Sequence, residues 1–90
     1  MDLNQKPLRA GNFSSDIVDN EVILYNPDGN RFLYLNQTAA LVWEQCTGEL
    51  SVQELIQGLK EAFPGSEKEI QGDVEDTLQV FLKHGCITLV

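Results

Sequence analysis

Apolar and polar positions along the chain follow two rhythms. From Phe13 to Leu35 the apolar residues come in short runs rich in β-branched and aromatic side chains. From Ala39 to Phe81 they recur at intervals of three and four. The first rhythm predicts strands and the second amphipathic helices. Phe13–Asp19 is the weakest strand candidate and Glu21–Tyr25 (EVILY) the clearest. Arg31–Leu35 (RFLYL) is the returning strand. Between the last two lies Asn26-Pro27-Asp28-Gly29-Asn30, a turn with a mechanism. Pro27 fixes φ, Asp28 can close an Asx-type bond and Gly29 supplies positive φ. The expectation is an antiparallel meander of two to three strands.

Asn36 then stands where a helix N-cap belongs. Behind it Ala39, Val42, Trp43 and Cys46 fall on one helical stripe, with Gly48 expected at the C′ position. Ser51-Val52-Gln53-Glu54 is a capping box opening a second helix, whose inward stripe is Val52, Leu55, Ile56, Leu59 and Phe63. Pro64-Gly65 stops it. Ser66 is the expected cap of a third helix that turns Ile70, Val74, Leu78 and Phe81 inward and ends at Gly85. Cys86–Val90 is a short apolar tail, either strand or core-capping coil. Met1–Asn12 holds few apolar residues together with Pro7 and Gly11, and reads as a loose arm. Residues 13–90 then make a single α+β domain, a meander followed by three helices, in a winged helix-turn-helix-like order.

Charge changes what that order implies. Fourteen acids face six bases, and between Glu49 and Asp76 eight acids stand against Lys60 and Lys68 alone. Helix-turn-helix domains that read DNA need clustered Lys and Arg to replace phosphate counterions. Here Asp73, Glu75 and Asp76 occupy the third helix instead, so nucleic acid and anionic membrane surfaces are disfavoured partners. No opening segment has the apolar core of a signal peptide. No apolar run nears the ~20 residues of a membrane span. The expected location is the cytoplasm, where Cys46 and Cys86 stay reduced.

Catalytic parts are missing. His84 is the one histidine, placed in a last helical turn where it complements the dipole. Cys86 lies two residues on, with no orienting partner evident. Glu67/Glu69 and Glu75-Asp76 do not converge on one point of a helix. Phosphate-cradling glycine loops are absent, and two cysteines with one histidine are too few for a structural zinc site. The chain is expected to be no enzyme, with no cofactor and no metal. The informative segment is Arg31–Leu35, because Phe32 and Tyr34 make one face apolar while Leu33 and Leu35 make the other so. One face packs on the helices. The other is covered by the arm or the tail, or else marks an edge that accepts an extended peptide as an added strand.

The run Asp28-Gly29 … Tyr34-Leu35-Asn36-Gln37-Thr38-Ala39-Ala40-Leu41-Val42-Trp43-Glu44 … Gly48 … Ser51-Val52-Gln53-Glu54-Leu55 … Asp73-Val74 … Phe81-Leu82 … Gly85 resembles the PqqD-like family over Asp19–Ile87. Cys86-Ile87 stands where that family often has two aliphatics. The resemblance implies a winged-helix-like fold that does not bind DNA. It implies a peptide chaperone, a recognition element for ribosomally made precursors of PQQ or other peptide products. In this family the leader of the precursor docks as an added strand, in a groove completed by the third helix. A partner enzyme, commonly a radical S-adenosylmethionine maturase, then modifies the rest of the precursor. Carried onto this chain, the implied docking strand is Arg31, Phe32, Leu33, Tyr34 and Leu35. The implied groove flank is Asp73, Thr77, Val80 and His84, and Asp73 with Asp76 would suit a leader carrying Lys or Arg. Asn36, Thr38, Ala39 and Trp43 are cap and core. The rival readings are a winged-helix DNA-binding regulator and a structural adaptor docking only to a partner enzyme or, through the apolar edge, to a second copy.

Overall fold

The computed structural model describes residues 1–19, 21–27 and 31–90. Along it run β1 (Pro7–Arg9), β2 (Ser14–Val18), β3 (Glu21–Asn26), β4 (Arg31–Leu35), α1 (Gln37–Gln45), α2 (Val52–Ala62), α3 (Glu67–Lys83) and β5 (Ile87–Leu89). The class is α+β, as the two rhythms predict. Strands β2, β3 and β4 form an antiparallel meander in that order, with β4 at an edge. The turn expected over Asn26–Asn30 falls partly outside the described residues.

Register follows from burial. Leu24 pairs with Leu33 and Val22 with Leu35, which turns those side chains to the helices. Leu24 and Leu35 join a core with Val42, Trp43, Val52, Ile56, Leu59, Ile70, Val74, Leu78 and Phe81. Each helix contributes the stripe read from its spacing. Trp43 meets Phe81 edge-on at 5.7 Å, a geometry favoured by the ring quadrupoles, and ties α1 to α3.

The caps are local and mostly as expected. The Ala39 amide donates to Asn36 Oδ1 at 2.8 Å. The Ser51 amide donates to Glu54 Oε1 at 2.9 Å while the Glu54 amide donates to Ser51 Oγ at 3.1 Å, the reciprocal capping box. Two details differ. Cys46 is the C-cap of α1, so Gly48 lies beyond the C′ position, and its amide donates to Pro7 O at 2.8 Å. Ser66 makes no side-chain cap, since its φ of −111° and ψ of 13° are not the extended cap geometry. The Gly65 amide instead donates to the Glu67 carboxylate at 2.9 Å.

The arm is not loose. Strand β1 pairs antiparallel with β5, Pro7 opposite Leu89 and Arg9 opposite Ile87, in a second small sheet. Lys6 and Val90 exchange amide–carbonyl bonds at 2.7 and 2.9 Å, and the amides of Val52 and Gln53 donate to the carbonyls of Gln5 and Leu3. Arg9 lies over the Trp43 ring at 5.8 Å. These are backbone partnerships with distant segments, so the poor apolar content of the arm carried no sign of them.

Glu54 and Glu67 are both held below the ordinary carboxyl value of 4.5, chiefly by the Ser51 and Gly65 amides respectively. Each such bond favours the charged form. The stability it adds is therefore present above the unfolded value of about 4.5 and is lost as pH falls through the lower folded value. Glu54→Gln should lower the urea midpoint at neutral pH, with the gap to wild type narrowing on acidification. A gap that does not change with pH would show that the carboxylate charge adds nothing.

Candidate functional site

Strand β4 carries the features that the core leaves unused. Its inner side chains, Leu33 half-buried and Leu35 buried, are held by the packing described above. Its outer side chains are exposed, Phe32 by 62% and Tyr34 by 72%. Neither arm nor tail covers them, because β1 and β5 pair with each other. Phe32 stacks instead on Tyr25 of β3, with ring centroids 6.4 Å apart, as cross-strand partners do. Ile23, Tyr25, Phe32 and Tyr34 with Val18 and Pro27 make an apolar outer face bordered by Asp16. A sheet wetted on one side usually alternates apolar with polar, and this one does not.

Beyond the β4 edge lies an open groove of about 530 Å³ lined by Arg31, Phe32, Leu33, Lys83 and His84. The end of α3 builds its far wall. There the Cys86 amide donates to Phe81 O at 2.8 Å and the Gly85 amide to Leu82 O at 3.1 Å. That pair of bonds is a Schellman motif, and it requires the left-handed φ of 73° that Gly85 supplies. Chain reversal at Gly85 leaves the His84 carbonyl free of the motif, and Arg31 Nη1 donates to it at 3.4 Å. A cation on the final carbonyls also meets the negative end of the helix dipole. Arg31 thus fastens the start of β4 to the end of α3.

Of the residues singled out from sequence, Arg31, Phe32, Leu33 and His84 line this groove. Tyr34 points to the outer face, and Leu35 to the core. Asp73 and Asp76 are exposed, Thr77 is half-buried, and Val80 is 45% exposed, all earlier on α3 and outside the groove lining. Lys83 is the lining residue that sequence reasoning missed. A base in a last helical turn already has a reason to be there, so its position raised no question.

No group of three or more His, Cys, Asp or Glu side chains converges as a metal site among the described residues. No helix among them is long and apolar enough to cross a membrane. Both cysteines are free and buried. Burial pushes the Cys46 thiol up to about 12, against a smaller opposing pull from Arg9, and its Sγ donates to Val42 O at 3.1 Å. Burial likewise pushes Cys86 up to about 11, opposed by Arg31. Thiolate, not thiol, is the nucleophile. A thiol-disulfide reagent at pH 8 should therefore leave both unmodified in the folded protein and label both in denaturant. Fast labelling without denaturant would contradict the packing.

A family model described as coenzyme PQQ synthesis protein D (PqqD) matches residues 21–87. No curated protein matches the chain. Among solved structures, lasso peptide synthetase B1 complexed with the leader peptide is similar at 17% identity, covering 92% of this chain and 98% of that one, with a TM-score of 0.77. TbiB1 in complex with the TbiA(beta) leader peptide is similar at 14% identity, covering 89% of this chain and 93% of that one, with a TM-score of 0.74. At these identities the likeness is one of fold.

Proposed function

Because the chain belongs to the PqqD family, we propose that it captures the leader of a ribosomally made precursor peptide on the free edge of β4 and presents it to a separate modifying enzyme. The observation that carries this reading is the combination of an edge strand with no outer neighbour among the described residues and a groove beside it. Similarity in fold to two leader-peptide-bound proteins supports it.

The mechanism is binding without chemistry. The leader extends along Arg31–Leu35 and adds a fourth strand to the meander. About four backbone hydrogen bonds form, each contributing roughly 0.5–1.5 kcal/mol net. Association and ordering of the peptide cost several kcal/mol, so side chains must add to the ladder. Leu33 offers apolar contact inside the groove, and the Phe32 ring stays on the outer face of the sheet. Val80, Thr77 and His84 extend it along α3, and Asp73 with Asp76 offers charge to a Lys or Arg farther along the leader. Held this way, the peptide reaches the enzyme at a raised effective concentration. A radical S-adenosylmethionine maturase is the favoured enzyme class, and the cytoplasm the favoured location. The winged-helix order then serves a peptide rather than DNA, in keeping with the acidic α3.

The test is titration of the purified chain with a labelled leader from a short reading frame beside its gene, with duplex DNA as control. Saturable binding of micromolar order is expected for the peptide and none for DNA. Adjacent residues of a strand aim their amides to opposite sides. One of Phe32→Pro and Leu33→Pro therefore spares the β3 ladder and removes only an edge donor. The variant of the two that keeps the wild-type circular dichroism should bind the leader about twofold to tenfold more weakly, the range of one lost hydrogen bond. Unchanged affinity in that folded variant would rule out strand addition on β4.

A further inference from the structure

The groove beside β4 is lined by two bases and no acid, against the sign of the chain as a whole. The protein carries a net charge of −8 with only six Lys and Arg. Two of those six, Arg31 and Lys83, line this one groove together with His84. Lys83 forms no ion pair among the described residues. The negative pole of α3 does not cancel them. The carbonyls of Phe81 and Leu82 are closed by the Schellman bonds, and that of His84 accepts from Arg31. A helix end amounts to about half a charge, against the two full charges of Arg31 and Lys83.

Strand geometry says which peptide position meets those charges. Residues directly opposite one another on paired strands share a face. Leu33 and Leu35 turn inward, so by alternation Arg31 belongs to the same face, and its reach to His84 agrees. A peptide residue opposite Leu33 therefore sets its side chain against a half-buried leucine. The residue opposite Arg31, two positions away, sets its side chain between Arg31 and Lys83.

We infer that the β4 groove selects a peptide carrying an aspartate or glutamate two positions from an apolar residue. This rests on the peptide-binding reading above and specifies the chemistry that is bound. The order of the pair reports the direction of the added strand. An antiparallel peptide reads apolar-x-acid from N to C, and a parallel one acid-x-apolar. Asp73 and Asp76 lie earlier on the same helix, so a base in the leader belongs away from this end.

The experiment is selection of a phage-displayed random peptide library on the full chain and on Lys83→Glu. Wild type should enrich peptides with one of the two orders, and Lys83→Glu should replace the acid by Lys or Arg. A resynthesised wild-type winner with its acid changed to Lys should bind wild type about threefold to tenfold more weakly, the range of a partly exposed ion pair at low salt. It should recover on Lys83→Glu. If circular dichroism shows that this variant does not fold, Lys83→Gln serves instead and should weaken the preference, with Arg31 still in place. Enriched peptides without an acid at that place, or with the same acid on both proteins, would overturn the inference while leaving peptide binding intact. A folded protein that enriches nothing would overturn the peptide-binding reading itself.

Discussion

Only one face of the three-stranded meander can reach the core, because all three helices lie on the same side of it. Leu24 and Leu35 are spent in that core, packed with the stripes of α1, α2 and α3. Period-two geometry then places Tyr25, Phe32 and Tyr34 outward regardless of their hydrophobicity. A short second sheet, β1 with β5, consumes both chain ends that could have covered them. What is left is an edge strand with an aromatic back and, among the described residues, no further strand along its rim. Such an edge is normally a hazard for aggregation.

A long hydrogen bond from Arg31 to the His84 carbonyl sets the end of α3 beside that edge. It joins residues 53 apart in sequence and sets the end of a long helix alongside the first residues of β4. Its geometry depends on Gly85, since a side chain at φ 73° would strain the reversal that presents the carbonyl. Fold and groove are thus coupled at one point. The helix end that closes the core is also the wall of the site, and the strand that completes the sheet is also its floor.

Much of this was legible in the sequence wherever the signal was local. The N-cap at Asn36, the box of Ser51 with Glu54, the helical stripes and the limits of β4 need only a few neighbouring residues, and each is present. Partnerships across the chain were not legible. β1 bonds β5 some eighty positions away through backbone groups, which leave no trace in side-chain pattern. Ser66 looked like a cap by type, but the Pro64-Gly65 reversal gave it the wrong backbone angles. In the proposed site, the strand drew attention because both of its faces are apolar, an anomaly visible in the alternation of its side chains. Lys83 was not, because the helix dipole already accounted for a base at that position. The family resemblance, read from the ordered motif between Asp19 and Ile87, agrees with the family model that matches residues 21–87.

The central claim is that β4 gains a strand, and amide hydrogen exchange read residue by residue by NMR tests it most directly. Without peptide, alternate amides of Arg31–Leu35, those aimed away from β3, should exchange freely. With saturating leader those same alternate amides should become protected while their neighbours, already bonded to β3, change little. A leader that binds and leaves the β4 amides unchanged, with protection arising around another element, would contradict the account.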